Sequence, residues 1–155
     1  MALIDILQKQ YAHSWRMLAD GIESCSDAQW KAVIDDPFFV PARVAFHVIQ
    51  TIDFYTSPTA DEFDWKAFGF DWEEAPAEDL PARAKASGYL DTIREKLDTL
   101  LSSMDETALM DSDSKFAPYF SSPFERLNYG LRHSHHHIGQ MSLDLQRRGV
   151  SEIEW

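Results

Sequence analysis

The sequence predicts an all-α protein that folds as a four-helix bundle with long connecting loops. Apolar residues recur at helical spacing in four long segments, at about residues 3–24, 42–56, 81–103 and 122–149. No stretch shows the alternation and the turn residues of a β-sheet. Amphipathic helices of this length pack best as a bundle. With 155 residues, of which 45% are hydrophobic, the chain is expected to form a single domain over residues 1–155.

The first predicted helix covers residues 3 to about 24. Its apolar face consists of five residues at helical spacing: Ile4, Leu7, Tyr11, Leu18 and Ile22. Ser26-Asp27-Ala28-Gln29 has the pattern of a capping box, which predicts a short second helix. His13 lies off the apolar face, and we assign it no role.

The second long helix is predicted to begin at Pro41 and to run from Ala42 to about Thr56. Its inward face is marked by Val44, Val48, Ile52 and Tyr55. His47 lies next to this face. A lone histidine in such a position is most simply a core residue with satisfied hydrogen bonds.

Residues 59–80 break the helical pattern, because acidic and aromatic residues alternate there. The aromatic ones are Phe63, Trp65, Phe68, Phe70 and Trp72. A loop of this length in a small protein is often a lid or a binding loop. The alternative is that its aromatic residues only cover one end of the bundle, and the sequence leaves both interpretations open.

The third long helix is predicted over residues 81–103, with a proline at its first position. Its apolar face is formed by Leu90, Ile93, Leu97, Leu100 and Leu101. Residues 105–109 are a candidate for one further short turn, and residues 111–121 are predicted to form a loop. Within this loop, Tyr119 and Phe120 are expected to cover an end of the core.

The fourth long helix has the clearest boundaries. Ser122 is the predicted N-cap, Pro123 occupies the first helical position and Glu125 completes a capping box. Gly149 is expected to end the helix after two arginines, which suit the negative end of the helix dipole. Its core-facing residues are Leu127, Leu131, Ser134, Ile138, Met141 and Leu145.

Four of the six histidines lie in this fourth helix, at positions 133, 135, 136 and 137. His133 and His137 are four residues apart, so their side chains lie on one face, beside the apolar residues. Two imidazoles at this spacing can share one metal ion. His133 and His136 form a competing pair, although His136 would have to point outward.

His47 is predicted to be the third metal ligand, because it is the other histidine on a long amphipathic helix that faces the core. Three imidazoles leave a coordination position open for water or substrate, as in catalytic zinc sites. Such ligands suit zinc, nickel, iron or copper. Gln140 and Asp144 are candidates to orient the histidines. The sequence identifies no catalytic residue apart from this metal site.

Composition argues against several partners and compartments. The net charge of −12 disfavours binding to nucleic acids and to anionic membrane surfaces. No apolar run approaches the length that spans a bilayer. Cys25 is the single cysteine and cannot form an internal disulfide, and the N-terminus lacks the features of a signal peptide. We therefore expect a cytoplasmic protein.

The histidine order resembles that of the DinB/YfiT-like superfamily. The resemblance lies in His47 in the second long helix, followed by His133-Ser134-His135-His136-His137-Ile138-Gly139-Gln140 in the fourth. It implies a four-helix bundle, frequently a homodimer, with zinc, nickel, iron or another divalent ion on His47, His133 and His137. The better understood relatives transfer or isomerise small-molecule substrates with a low-molecular-weight thiol such as bacillithiol or mycothiol.

Three hypotheses about function therefore remain. The first is a metal-dependent enzyme, either a thiol S-transferase or a related small-molecule transferase or isomerase; a hydrolase that uses metal-activated water is its weaker version. The second is a non-catalytic metal-binding or small-molecule-binding bundle in a stress response, since Asp144 is the one acid/base candidate near the histidines. The third is that the histidines are purely structural and nothing binds.

Overall fold

Six α-helices form the protein in this computed structural model, which describes residues 2–150 and 153. They are α1 (Leu3–Ser24), α2 (Asp27–Trp30), α3 (Pro41–Tyr55), α4 (Arg83–Ser102), α5 (Glu106–Met110) and α6 (Pro123–Arg147). One 3-10 turn, Ala77–Asp79, precedes α4, and the described residues contain no β-strand. The predicted all-α fold is confirmed. Among the described helices, none combines the length and the apolar character that a bilayer crossing requires.

The four long helices α1, α3, α4 and α6 pack around one hydrophobic core. Helix α6 lies against both α1 and α3, and α4 packs against the same two helices. The predicted apolar faces are the buried ones: Leu7, Tyr11, Leu18 and Ile22 of α1, for example, are almost fully inaccessible. Burial of such faces supplies most of the stabilisation of a bundle.

Helix α4 begins two residues later than its sequence predicts. Ala82 has the extended conformation of an N-cap residue, and the helix starts at Arg83. The indole Nε1 of Trp30 donates a hydrogen bond of 2.9 Å to the carbonyl oxygen of Pro81. This tertiary contact keeps Pro81 outside the helix, a restraint that local sequence patterns cannot reveal.

The N-terminus of α6 differs from its prediction in one detail. The Ser122 hydroxyl accepts a hydrogen bond from the Glu125 backbone N–H, as predicted. The Glu125 carboxylate, however, accepts from the backbone N–H and the hydroxyl of Ser121 rather than from Ser122. At the other end, Gly149 adopts a φ of +74°, the left-handed conformation that commonly ends helices and that glycine tolerates best.

Gly130 allows α6 to approach α1 and α3 closely. A Cβ atom at this position would lie 2.9 Å from both Ile52 Cδ1 and the Tyr11 hydroxyl oxygen, a separation too short for a side chain. Tyr11 itself donates a hydrogen bond of 2.6 Å to the Leu127 carbonyl, one turn earlier. The close approach sets the position of the next turn of α6, which begins with His133.

The loop over residues 59–80 lies along α3 and packs aromatic rings against it. The Phe70 ring lies 5.6 Å from the Phe46 ring, and the Trp65 ring lies 5.0 Å from the Phe54 ring, both measured between centroids. The Gln50 side-chain amide also donates to the Trp65 carbonyl at 2.7 Å. These contacts match the interpretation that the aromatic residues cover the bundle.

The loop over residues 111–121 is held by a buried ion pair. Arg126 of α6 donates to the Asp113 carboxylate at 2.6 Å, and both side chains are almost fully buried. The guanidinium lies 4.1 Å from the centroid of the Phe116 ring, which is fully buried. Of the two residues that we expected to cover the core, Phe120 packs against it and is partly buried, whereas Tyr119 is 73% exposed.

Candidate metal centre

Three histidines converge where α3 meets α6. The Nε2 atom of His47 lies 3.1 Å from that of His133 and 3.0 Å from that of His137. The Nε2 atoms of His133 and His137 are 3.1 Å apart. The structure thus brings together the three predicted ligands, from one turn of α3 and two successive turns of α6. Their assignment as metal ligands stays a prediction at this point.

The three nitrogens cannot satisfy one another by hydrogen bonds. Each neutral imidazole nitrogen is either a donor or an acceptor. Of three atoms that contact one another in pairs, at least two must have the same role, so at least one pair is left without a hydrogen bond. A cation at the centre would accept all three lone pairs at once. The arrangement is therefore unsatisfied as a hydrogen-bonded cluster and suited to an ion.

The spacing also fits a small divalent ion. Tetrahedral zinc binds imidazole nitrogen at about 2.0–2.1 Å, which places the ligand nitrogens about 3.3 Å apart. The separations of 3.0–3.1 Å between His47, His133 and His137 are close to this value. Among the described residues, this is the group of histidine, cysteine and acidic side chains whose ligand atoms could together hold a metal.

Burial keeps the three imidazoles neutral, as metal ligation requires. Loss of solvent, together with the neighbouring His137 and His133, lowers the pKa of His47 to about 3. Burial likewise lowers the pKa of His133 to about 4 and depresses the pKa of His137. At neutral pH the lone pairs are therefore available to a metal ion rather than occupied by protons.

Gln140 orients one of these rings. Its side-chain oxygen lies 2.7 Å from His137 Nδ1, so that Nδ1–H donates and Nε2 keeps its lone pair directed at the cluster. Thr51, which the sequence did not single out, lies at a longer 3.4 Å from His47 Nδ1. The Nδ1 atom of His133 is buried and has no partner among residues 2–150 and 153.

Asp144 does not contact the histidines, contrary to our expectation. Its carboxylate accepts hydrogen bonds of 2.6 and 3.2 Å from the Arg148 guanidinium, four residues later on the same side of the helix. Arg148 is held in turn by the carbonyls of Gln29 and Ala32. The ion pair with Arg148 thus holds the Asp144 carboxylate away from the imidazoles.

Trp72, in the loop over residues 59–80, covers His47. The two ring centroids lie 4.1 Å apart at an angle of 36°. The Trp72 carbonyl accepts a hydrogen bond from the buried Arg43, which also binds the carbonyls of Glu73 and Ala75 at 3.2 and 2.7 Å. The loop therefore contributes a residue to the site. Sequence reasoning missed this role, because no local pattern links a loop indole to a helix.

A solvent-exposed cavity of about 310 Å³ borders the cluster, and Tyr129, Arg132, His133 and His136 line it. His136 is exposed, and its ring lies 4.9 Å from the His137 ring without joining the cluster. The competing pair His133 and His136 is therefore not the pair that meets His47. A second cleft of about 500 Å³, lined by aromatic residues, shares Tyr129 with this cavity.

His135 lies on the other flank of α6. Its Nε2 atom is 2.6 Å from the hydroxyl of Ser14, a fully buried residue of α1. Cys25 is not a candidate nucleophile, since burial raises the pKa of its thiol to about 11. A thiol that stays protonated at neutral pH is a poor nucleophile.

The sequence model of the DinB superfamily matches residues 7–141 of this chain. The matched range contains His47, His133 and His137. A search of curated proteins finds no match to the chain. Membership of this superfamily and the three-histidine cluster are together compatible with a metal-binding enzyme.

Proposed function

The chain belongs to the DinB superfamily, and we propose that it is a divalent-metal-dependent enzyme that transfers a low-molecular-weight thiol to a small electrophilic substrate. The proposal includes a related reaction at the same site, in which a small molecule is transferred or isomerised. The ion is zinc, nickel or iron, which imidazole ligands suit.

One observation carries this proposal, namely the mutual contact of three imidazole nitrogens that cannot all hydrogen-bond to one another. Each Nε2 lies 3.0–3.1 Å from the other two. Buried polar atoms are rarely left in this condition without a function. Because the described protein ligands number three, a tetrahedral ion would keep one position open for a substrate atom.

The residues around the cluster have distinct tasks. His47, His133 and His137 would hold the ion, and Gln140 keeps His137 in the tautomer that ligates. Trp72 shields one side of His47 from solvent. A divalent ion in this position would bind the thiol sulfur and stabilise it as the thiolate.

The transfer balances without a further co-reactant. The electron pair of the thiolate forms a bond to the electrophilic carbon of the substrate, and the leaving group departs with the electron pair of the bond that breaks. The thiol proton is released to solvent when the thiolate forms. Such a step needs no separate general base, because a bound divalent ion already lowers the pKa of the thiol.

The aromatic cleft that shares Tyr129 with the cavity at His133 is suited to the electrophile. Phe54, Trp65, Phe120 and Tyr129 line this cleft of about 500 Å³, which has the size of small-molecule sites. Its apolar walls favour a substrate with an apolar or aromatic body.

A non-catalytic metal-binding or small-molecule-binding protein is the second candidate, favoured by the state of Asp144. This carboxylate, the acid/base candidate of the sequence, is bound to Arg148 and is not free for proton transfer. Hydrolysis by activated water would benefit from such a base, so the hydrolase version is weakened more than thiol transfer is.

The test compares two neighbouring histidines in protein prepared without an affinity tag. We expect His137→Ala to lose both the bound metal and turnover with a panel of thiols and electrophiles. The matched variant His136→Ala removes an exposed histidine from the same helix and should retain the metal. Elemental analysis measures the metal, and loss of free thiol measures turnover.

Each result has a definite meaning. Turnover that persists in metal-free His137→Ala would contradict the metal-dependent mechanism. If His136→Ala loses the metal and His137→Ala retains it, His136 rather than His137 is the ligand from this turn of α6. A wild-type protein that holds the metal but turns over none of the substrates would favour the binding protein.

A further inference from the structure

Arg132 has no acidic partner in the part of the chain that the structure describes, although the chain is strongly acidic. The sequence contains 26 acidic residues against 14 lysines and arginines. Arg83, Arg94, Arg126 and Arg148 each contact a carboxylate. Arg132 forms no ion pair with any residue in 2–150 or with Ile153, and its described contact is with the Tyr129 ring, 5.1 Å from the ring centroid. Its guanidinium therefore keeps its hydrogen-bond donors free.

Arg132 is one of the residues that line the cavity beside the candidate metal centre. Arg132 lines this cavity together with His133, one of the three candidate ligands. The Tyr129 ring, on which Arg132 rests, is nearly parallel to the His133 ring, with 22° between their planes and 6.2 Å between their centroids. Tyr129 thus supports the arginine beside the ligand, and His136 completes the wall with an exposed imidazole.

We propose that Arg132 binds a carboxylate of the low-molecular-weight thiol and so selects carboxylate-bearing thiols over neutral ones. This inference rests on the proposed thiol transfer. The molecule nearest to His133 in this cavity would be the one whose sulfur occupies the open position. A guanidinium presents paired N–H donors that match the two oxygens of a carboxylate.

Charge in the neighbouring cleft supports this orientation. Asp61 is one of the residues that line the aromatic cleft, where it would repel a negatively charged group. A negatively charged thiol is therefore expected to direct its carboxylate to Arg132 and to leave the aromatic cleft to the electrophile. The specificity of the enzyme for its thiol and for its electrophile would then reside in two separate clefts joined at Tyr129.

The experiment uses two thiols that differ by the carboxylate alone, N-acetylcysteine and N-acetylcysteamine. Each is titrated into cobalt-loaded protein, and binding is followed by the thiolate-to-cobalt charge-transfer absorption. We expect the wild type to bind N-acetylcysteine about tenfold more tightly, the effect of one charge-assisted contact. Arg132→Gln should lose this preference while its affinity for N-acetylcysteamine is unchanged.

Arg147→Gln is the matched control. It removes the same charge from an exposed position of the same helix, roughly 22 Å further along at 1.5 Å per residue. This variant should keep the tenfold preference. Arg132→Lys retains the charge without the paired donors, and it should recover only part of the preference.

The outcomes separate this inference from the function on which it rests. If both thiols produce the absorption with equal affinity in the wild type, selection by Arg132 is wrong and thiol binding stands. If Arg132→Gln lowers the affinity for both thiols equally, or if Arg147→Gln also abolishes the preference, Arg132 does not bind the carboxylate. If neither thiol changes the spectrum of protein that contains cobalt, the proposed thiol transfer itself fails.

Discussion

The two flanks of α6 place histidines in opposite situations. On one flank, His135 Nε2 forms a hydrogen bond of 2.6 Å with the Ser14 hydroxyl. On the other flank, His133 and His137 meet His47, and the three nitrogens cannot satisfy one another. The same residue type, two positions apart, thus has a hydrogen-bonded partner on one side and is a candidate metal ligand on the other.

Protonation does not distinguish the two flanks. Burial lowers the pKa of His135, just as it lowers the pKa of His47 and His133. All are neutral at neutral pH, so the neighbour across the helix interface decides the role. The Nε2 atom of His135 is already engaged by a hydroxyl group, whereas the Nε2 atoms of His47, His133 and His137 face one another and cannot all form hydrogen bonds.

The largest difference between the flanks is expected in metal affinity. Gln140→Leu removes the acceptor that fixes the His137 ring, and the loss of such an outer contact typically weakens metal binding by about 10–100-fold. Ser14→Ala, which removes the partner of His135, should change the affinity by less than about twofold. Competition with a chromophoric chelator measures both. Equal effects in the two variants would mean that the flanks are not distinct.

An intermediate effect is expected in the pH dependence of the metal-free protein. Because burial lowers the pKa of His47 to about 3 and of His133 to about 4, the folded state binds fewer protons than the unfolded state below about pH 6.5. The free energy of unfolding should therefore fall as the pH decreases from 6.5 to 5. The loss is roughly 1 kcal/mol for each imidazole that stays neutral.

Replacement of His47 and His133 tests whether these imidazoles cause the pH dependence of the free energy of unfolding. Glutamine at both His47 and His133 should flatten the dependence more than His135→Gln, which removes one such imidazole rather than two. Urea unfolding at several pH values supplies the measurement. A double variant with the slope of the wild type would contradict the assignment of the pH dependence to the metal flank.

The smallest effect is expected in folding stability on the other flank. Ser14→Ala should lower the free energy of unfolding by about 1 kcal/mol, because it leaves His135 Nε2 without a partner in a half-buried position. Thermal or urea unfolding of the metal-free protein measures this change. An unchanged stability would indicate that another group replaces the hydroxyl, and that His135 is no better satisfied than its neighbours.

Helical periodicity predicted most of what lies within a helix. The i, i+4 spacing placed His133 and His137 on one face, and the apolar pattern of α3 placed His47 beside the core, so the three converging residues were identified before any coordinates. The helix-internal role of Gln140, three residues after His137, also followed from position on the helix.

Contacts between distant segments were not predictable in this way. Trp72 reaches His47 because Arg43 binds loop carbonyls, and carbonyl groups are common to every residue and leave no trace in the sequence. Asp144 pairs with Arg148 rather than with a histidine, and the position of Arg148 depends on carbonyls of the segment after α1. No sequence pattern distinguishes Arg132 from other arginines, since its position over the Tyr129 ring is visible only in three dimensions.

Arg43 and His47 are one turn apart on α3, so a single rigid element carries both the ligand and the anchor of its indole cover. A displacement of this helix would carry the Trp72 backbone with it, because Arg43 binds the loop carbonyls. His133 and His137 belong to α6 instead. A change in the separation of α3 and α6 would therefore alter the distances from His47 to the other two histidines before it alters the contact between His47 and its indole cover.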